Sequence, residues 1–214
     1  MKRVQVSQVS LLPHQLEGAA WLMRCRGGLL GDDNGLGKTA TVLTALPANG
    51  RSIIVCRTVF EEFWKGEIQD WTSLEVIGAD ASRWPSAGEV LVMSSGKTLR
   101  RSLGELPQNI TLVCDEAHLL LNTKTKRTIM TRSLARAIRR SGGRVWLLTS
   151  SPPISLDDAR KMWTLLDVAG ATKEFGKEFG NRFLGTFFSA YDCRFKGHTN
   201  PLQSVLLRRT MTDI

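Results

Sequence analysis

The sequence predicts an α/β domain: a parallel, twisted sheet with helices on both faces. Three observations lead there. Short apolar runs rich in Val, Ile and Leu recur at Gly28–Leu30, Ser52–Cys56, Leu74–Ile77, Val90–Met93, Ile110–Cys114 and Arg144–Leu148. Stretches with helical spacing fall among them, at His14–Cys25, Lys38–Leu46, Val59–Trp71, Thr123–Arg140 and Leu156–Val168. The apolar runs are mostly continuous rather than alternating, which marks strands buried on both faces. Strands that alternate with helices build crossover units and hence a parallel sheet.

In chain order, the helix at His14–Cys25 leads to the strand at Gly28–Leu30. That strand opens into a glycine-rich turn, and a new helix begins near Lys38. The runs at Ser52–Cys56 and Ile110–Cys114 are strongly apolar, as suits strands buried on both faces. Beyond Ala169 the pattern weakens, and the stretch 170–201, rich in Gly, Phe and basic residues, yields no placed elements. No repeat or low-complexity linker divides the 214 residues, so residues 1–214 read as one domain with its own core.

Composition narrows the class further. No apolar run approaches the roughly 20 residues needed to span a bilayer. The opening MKRVQVSQVS has no apolar stretch behind its two basic residues, so it is not a signal peptide. An intracellular protein is expected, cytoplasmic or nucleoid-associated if it comes from a bacterium or phage. Cys25, Cys56, Cys114 and Cys193 lie far apart with no CxxC pair, which argues against a zinc site. Cys56 and Cys114 sit in apolar runs and read as buried, reduced thiols. The net charge of +9 favours a polyanionic partner, although simple solubility would also account for it.

Two stretches carry chemistry. In Asp32-Asp-Asn-Gly-Leu-Gly-Lys-Thr39 a strand runs into a glycine-rich turn at the start of a helix. Backbone N–H groups of such a loop cradle phosphate oxygens, helped by the helix N-terminus. Asn34, Gly35, Leu36 and Gly37 would form the cradle, Lys38 would reach the β- and γ-phosphates, and the Thr39 hydroxyl would bind Mg²⁺. The general GxxxxGK[ST] pattern is not met, because Asp32 stands at its first position. In Thr111-Leu-Val-Cys-Asp-Glu-Ala-His118 an apolar strand ends in adjacent carboxylates, where ligands of parallel α/β sheets bind. Asp115 can hold a Mg²⁺ ion and Glu116 can orient or deprotonate an attacking water. Acidic residues opening a helix would produce the same local pattern.

Together with four further segments, these stretches resemble the first RecA-like lobe of the Swi/Snf-type ATPases, within the superfamily-two helicases. Leu11-Leu-Pro-His-Gln-Leu-Glu-Gly-Ala-Ala-Trp21 resembles the opening motif, in which a glutamine, here Gln15, reads adenine. Asp32–Thr39 resembles the family's own phosphate loop, which also begins with Asp. Ile53–Arg57 with Phe63-Trp64 resembles a strand and loop that touch the nucleic-acid backbone, and Asp115-Glu-Ala-His118 resembles the metal and water motif. Leu147-Leu-Thr-Ser-Ser-Pro152 resembles the coupling motif, and Leu207-Arg-Arg-Thr210 resembles the segment that closes the first lobe. The order of the six segments matches the family's order.

The resemblance implies a P-loop, three-layer α/β/α fold, ATP and Mg²⁺ as cofactors, and DNA, double-stranded, as partner. It implies that Lys38, Asp115, Glu116 and His118 serve catalysis, and that His118, Thr149, Ser150 and Ser151 pass the nucleotide state toward the nucleic acid. It also implies a second RecA-like lobe, in cis or in trans, that supplies arginines to the ATP site. The sequence stops at Ile214, so the chain by itself is expected to bind ATP weakly and to turn over negligibly. Departures fall mainly on coupling. The family has Pro where Arg57 stands, Thr-Gly-Thr-Pro where Thr149-Ser-Ser-Pro152 stands, and often Asn where Ser155 stands.

For nucleic-acid contact the sequence offers Arg57, Ser94, Ser95, Lys97 with the following Arg100 and Arg101, and Lys124. The run 123–140 holds seven basic and no acidic residues. Helical spacing turns Ile129, Met130, Leu134, Ala137 and Ile138 toward the sheet and Arg132, Arg136, Arg139 and Arg140 outward. Those arginines read either as phosphate contacts or as a solvated face. Trp64 and Trp71, seven apart on one helix, read as core-facing. Two other readings stay open: a stand-alone phage or bacterial module that binds DNA or protein with a retired motor lobe, and another superfamily-two helicase or restriction motor subunit.

Overall fold

The computed structural model describes residues 10–94, 96, 105–153, 158–175, 183–184 and 201–214. Helix α1 (Pro13–Arg24) leads to strand β1 (Gly27–Leu30), α2 (Lys38–Ala45) and β2 (Arg51–Cys56). Then come α3 (Glu61–Trp71), β3 (Glu75–Ile77), β4 (Glu89–Ser94) and β5 (Ile110–Cys114). Helix α4 (Lys126–Arg140), β6 (Arg144–Leu148), α5 (Ala159–Ala169) and β7 (Leu206–Leu207) complete the chain. The seven strands form one sheet in the order β3-β4-β2-β5-β6-β1-β7, and every pairing is parallel. All six expected strands and all five expected helices are present.

Period-two alternation divides the strand residues between two cores. Leu29, Ile53, Val55, Leu91, Met93, Leu112, Cys114, Val145 and Leu147 face one layer, where they meet Leu134 and Ile138 of α4 and Met162, Leu165 and Leu166 of α5. Leu30, Ile54, Cys56, Val90, Val92, Val113, Trp146 and Leu148 face the other, where they meet Leu22 of α1, Val42 and Leu43 of α2, and Trp64 and Ile68 of α3. The sheet therefore lies between α1–α3 and α4–α5, the three-layer arrangement the sequence predicts. Trp64 is core-facing as expected, whereas Trp71 is half-buried against the edge of the same core.

Several boundaries and faces differ from the expectation. The helix expected from Val59 begins at Glu61, after a 3₁₀ turn at Thr58–Phe60. The one expected from Thr123 begins at Lys126, because the Thr125 hydroxyl caps it by accepting the Thr128 N–H. The buried face of α4 runs through Thr128, Thr131, Leu134, Ala135 and Ile138, so Ile129 is half exposed. Apolar spacing pointed the face one residue away, because threonines, whose β-branched stems pack well, take two inward positions.

The arginines of α4 do not all point outward. Arg132 pairs with Asp167, and Arg139 donates to the Asp167 and Val168 carbonyls at the end of α5. A cation there satisfies open carbonyls and complements the helix dipole. Burial pushes the Cys25 thiol up to about 11 and the Cys114 thiol up to about 12, as expected of inert, reduced cysteines. No helix among the described residues is long and apolar enough to cross a membrane.

The sheet is closed by a strand the sequence did not mark. The Leu29, Gly31 and Asp33 N–H groups donate to the Val205, Leu207 and Arg209 carbonyls at 2.8, 2.7 and 3.0 Å. This brings Arg209 onto Asp32, which is fully buried. The Arg209 backbone N–H donates to Asp32 Oδ1 at 2.9 Å, and its guanidinium contacts both carboxylate oxygens and the His14 carbonyl. Removing one member of a buried ion pair costs about 3–5 kcal/mol, because the other charge stays buried without its partner. Arg209→Met should therefore lower the unfolding free energy by about that amount, and Asp32→Leu combined with Arg209→Met should recover much of it. Urea unfolding of the three proteins checks this, and equal losses in the single and double variants would count against it.

Candidate functional site

The phosphate loop follows from the backbone at Gly37. This residue caps α2 in the left-handed region, with φ 74° and ψ 38°, where a side chain is disfavoured. A Cβ there would also fall on the Gln15 amide nitrogen. The Gln15 side chain reaches back to the Leu36 carbonyl at 3.4 Å while its Oε1 accepts the Leu12 N–H at 3.0 Å. His14 Nε2 lies 3.0 Å from the same Leu36 carbonyl. Helix α1 thus holds the glycine-rich loop from outside, with Gln15 packed beside Gly37. The partner of His14 left no trace in the sequence. Asn34 and Gly35 at the crest are exposed, and Thr39 in the first turn of α2 is partly exposed.

Lys38 Nζ donates to the Asp32 and Asp33 carbonyls at 2.6 and 3.0 Å. Partial burial lowers its pKa from the ordinary value, against the pull of the Asp32, Asp115, Glu116 and Asp33 carboxylates. Because β1, β6 and β5 run parallel, their ends bring Lys38 and the Asp115-Glu116 pair to one edge of the sheet.

Asp115 prolongs β5, its N–H donating to the Val55 carbonyl at 2.9 Å. Its Oδ1 accepts the Glu116 N–H at 2.8 Å and its Oδ2 accepts the Trp64 indole N–H at 3.0 Å. Burial raises the Asp115 carboxyl above the usual range, with those two N–H groups and Lys38 opposing and Glu116 adding to the rise. Glu116 adopts φ 52° and ψ 49°, a left-handed conformation uncommon for a non-glycine residue. This bend turns its side chain toward His118, whose Nδ1 lies 3.1 Å from Glu116 Oε2 and 3.5 Å from the Thr149 hydroxyl. Thr149 is buried; its N–H donates to the Leu30 carbonyl at 3.1 Å and its hydroxyl accepts the Ser151 N–H at 3.1 Å. His118 therefore stands between Thr149, which Ser151 hydrogen-bonds, and Glu116 of the acidic pair.

The residues suit a Mg²⁺ ion held chiefly by phosphate and water. Among the described residues no three His, Cys, Asp or Glu side chains converge on one point, so a protein-only metal cage is absent there. Asp115 spends one bond per oxygen on N–H donors, and a carboxylate offers about four lone-pair positions, so room for a bound water or cation remains.

The nucleic-acid candidates are only partly assembled. Arg57 is exposed at the end of β2 and shares a small cavity with Asp115, Glu116, Arg127 and Thr131. Lys124 is exposed, and its N–H donates to Asn122 Oδ1 at 3.1 Å. Ser94 is buried at the end of β4. Ser95, Lys97, Arg100 and Arg101 lie outside the described residues. The far end of α4 carries Arg139 to the opposite edge of the sheet, into a cleft of about 630 Å³ shared with Arg24, Arg26 and Lys173.

A glycine-rich loop and an Asp-Glu pair at the carboxyl edge of a seven-stranded parallel sheet define an α/β domain of the P-loop class. Residues 14–214 match a family model described as the SNF2-related domain, and the chain belongs to that family. It is 29% identical over 172 residues to Protein CHROMATIN REMODELING 25 of Arabidopsis thaliana, covering 62% of this chain and 19% of the relative. It is 28% identical over 189 residues to human DNA repair and recombination protein RAD54B, covering 73% and 20% respectively. Its fold matches the Sulfolobus solfataricus SWI2/SNF2 ATPase core in complex with dsDNA with a TM-score of 0.68, at 20% identity, over 94% of this chain and 44% of that one. The chain thus spans about a fifth of these curated relatives.

Gly37→Ala tests the loop directly. The strained backbone and the collision with Gln15 should cost about 1–2 kcal/mol of stability and displace Gln15 from the Leu36 carbonyl. Thermal unfolding of this variant beside Gly35→Ala, which also has positive φ but meets no atom within 4 Å, separates backbone strain from collision. Equal losses in the two would mean that Gln15 does not pack on the loop.

Proposed function

We propose that this chain is the ATP-binding lobe of a DNA-dependent ATPase that moves along double-stranded DNA and works with a second RecA-like lobe, in cis or in trans. One observation carries the reading: Lys38, after β1, and the Asp115, Glu116, His118 and Thr149 cluster, after β5 and β6, stand at the carboxyl edge of one parallel sheet, in a chain of the SNF2-related family. The described motifs fit it as a unit. Gln15 selects adenine, while the N–H groups of Asn34, Gly35, Leu36 and Gly37 and the Lys38 ammonium hold the phosphates. Thr39 and Asp115 hold Mg²⁺, which when bound neutralises charge developing on the transferred phosphoryl group. Glu116 orients the attacking water and takes its proton. His118, whose Nδ1 lies 3.1 Å from Glu116 Oε2 and 3.5 Å from the Thr149 hydroxyl, passes a change at the γ-phosphate to the Thr149–Ser151 segment.

Duplex DNA as partner is supported by the net charge of +9, by exposed Arg57 and Lys124 on the same edge, and by the DNA-bound Sulfolobus core of the same fold. An intracellular, DNA-associated protein follows. Turnover needs arginines on the far side of the nucleotide, a contribution of about 10³–10⁵-fold in related phosphoryl-transfer sites. The 214-residue chain alone should therefore bind ATP weakly and hydrolyse it negligibly.

Two measurements test this. Isothermal titration of ATP against wild type and Lys38→Ala, with and without duplex DNA, should show a roughly 10- to 100-fold loss in the variant, as expected for a charge-assisted contact of about 1.5–3 kcal/mol. Equal affinities would remove the phosphate-loop assignment. Phosphate release by the wild-type chain should stay at background when DNA is added, and robust stimulation by DNA would overturn the need for a second lobe.

A further inference from the structure

We propose that Trp64 is the positioning residue of the Asp115 carboxylate, and that a row of three rings ties this carboxylate to Arg57 on the nucleic-acid side of the lobe. The inference rests on the functional reading above and deepens it: DNA contact at the end of β2 is transmitted to the metal-binding carboxylate through α3.

The hydrogen bond from Trp64 Nε1 to Asp115 Oδ2, at 3.0 Å, joins residues 51 apart in sequence. An indole is an uncharged donor with no acceptor capacity. It therefore fixes one carboxylate oxygen without cancelling the negative charge that a cation needs, which a lysine or arginine at this place would do. The ring is 1% exposed and packed in the core of α1–α3, so its N–H direction is set by packing. Trp146, equally buried, gives its N–H to the Cys25 backbone carbonyl at 3.2 Å. A backbone carbonyl is thus an ordinary outlet for a buried indole in this sheet. Trp64 instead spends its donor on the acidic pair.

The ring of Trp64 does not stand alone. Phe63 meets it edge-on at 6.4 Å between centroids, Phe60 meets Phe63 edge-on at 6.5 Å, and the Arg57 guanidinium lies 5.9 Å from the Phe60 centroid. Such edge-to-face and cation–π contacts depend on orientation, so a shift of one member is felt by the next. The row runs from outside to inside: Arg57 is exposed, Phe63 is 49% exposed, and Trp64 is buried. Arg57 and Asp115 also line one small cavity, so the row connects two residues already close across the β2 and β5 ends. A phosphate drawing the Arg57 guanidinium off the Phe60 ring would release Phe60 and Phe63. That release would loosen one side of the packing that sets the indole N–H direction and so shift Oδ2.

The test uses the 214-residue chain, a non-hydrolysable ATP analogue and a short duplex oligonucleotide. The Mg²⁺ half-saturation for analogue binding is measured for wild type, Trp64→Phe, and Trp71→Phe on the same helix as control. Trp64→Phe should raise the half-saturation roughly tenfold, in line with outer-shell partners of metal ligands, and leave binding in EDTA unchanged. Trp71→Phe should match wild type. In parallel, the Trp64 indole N–H resonance of the wild type should shift on adding Mg²⁺ and analogue, and shift again on adding duplex. Phe63→Ala should erase the second shift. A half-saturation in Trp64→Phe within about twofold of wild type overturns the positioning role. If Trp64→Phe does not fold, an indole resonance that ignores Mg²⁺ and analogue in the wild type overturns it as well. A resonance that follows Mg²⁺ but ignores duplex overturns the link to Arg57. Failure of wild type to bind the analogue at all defeats the functional reading rather than this inference alone.

Discussion

A carboxylate sealed from water at the root of the phosphate loop sets the terms for the rest of the molecule. Asp32 is fully buried, and a buried ionised carboxylate is tolerated only when paired and hydrogen-bonded. Arg209 supplies both its backbone N–H and its guanidinium, and the same guanidinium reaches the His14 carbonyl of α1. Three parts of the chain thereby meet at one charge pair: the loop after β1, the start of α1, and the segment after β7. Helix α1 in turn lays His14 and Gln15 on the Leu36 carbonyl, so the side chains flanking the phosphate cradle inherit their places from that pair. Such a pair adds little net stability compared with apolar packing, but leaving either charge without the other inside the core is costly, so the three segments are held to each other there.

Much of this was legible in the sequence, for identifiable reasons. Continuous Val/Ile/Leu runs revealed the central strands β2, β4 and β5, because strands buried on both faces need apolar residues at every position. The glycine-rich loop and the Asp115-Glu116 pair were legible because their chemistry restricts residue types at fixed spacing. What escaped was whatever depends on long-range partners. Strand β7 is two residues long and its pattern is indistinguishable from any Leu-Leu pair. Asp32 could be seen as a departure from the general phosphate-loop pattern and as a mark of the family, but not as half of a buried ion pair. Trp64 was correctly placed in the core, yet periodicity reports only that a ring is inside and never where its N–H points.

The basic run of α4 shows how a one-dimensional count conflates surfaces. Helix α4 packs antiparallel to the strands, so its first turns lie near the carboxyl edge and its last turns near the amino edge. Arg127 shares the small cavity beside Asp115 and Glu116, whereas Arg139 is taken up by the carbonyls that end α5. Of the six charges on the helix, some secure helix against helix, and only those at the carboxyl edge stand beside the acidic pair. Net charge is therefore a poor guide to where a polyanion sits on this lobe, and the strand ends are a better one.

The parallel pairing of β7 with β1 carries a consequence for synthesis. The partners in the Asp32–Arg209 contact are 177 residues apart. At about 5–20 residues per second, roughly 10–35 s separate the appearance of Asp32 from that of Arg209 on the ribosome. For that interval the loop after β1 has its sequence but not its counter-charge, and the edge of β1 that β7 covers stays open to other strands. The loop after β1 is thus among the first parts of the lobe to be translated, yet it meets its counter-charge only once Arg209 has emerged. A chaperone or the ribosome surface that shields the open β1 edge would meet the chain in this window.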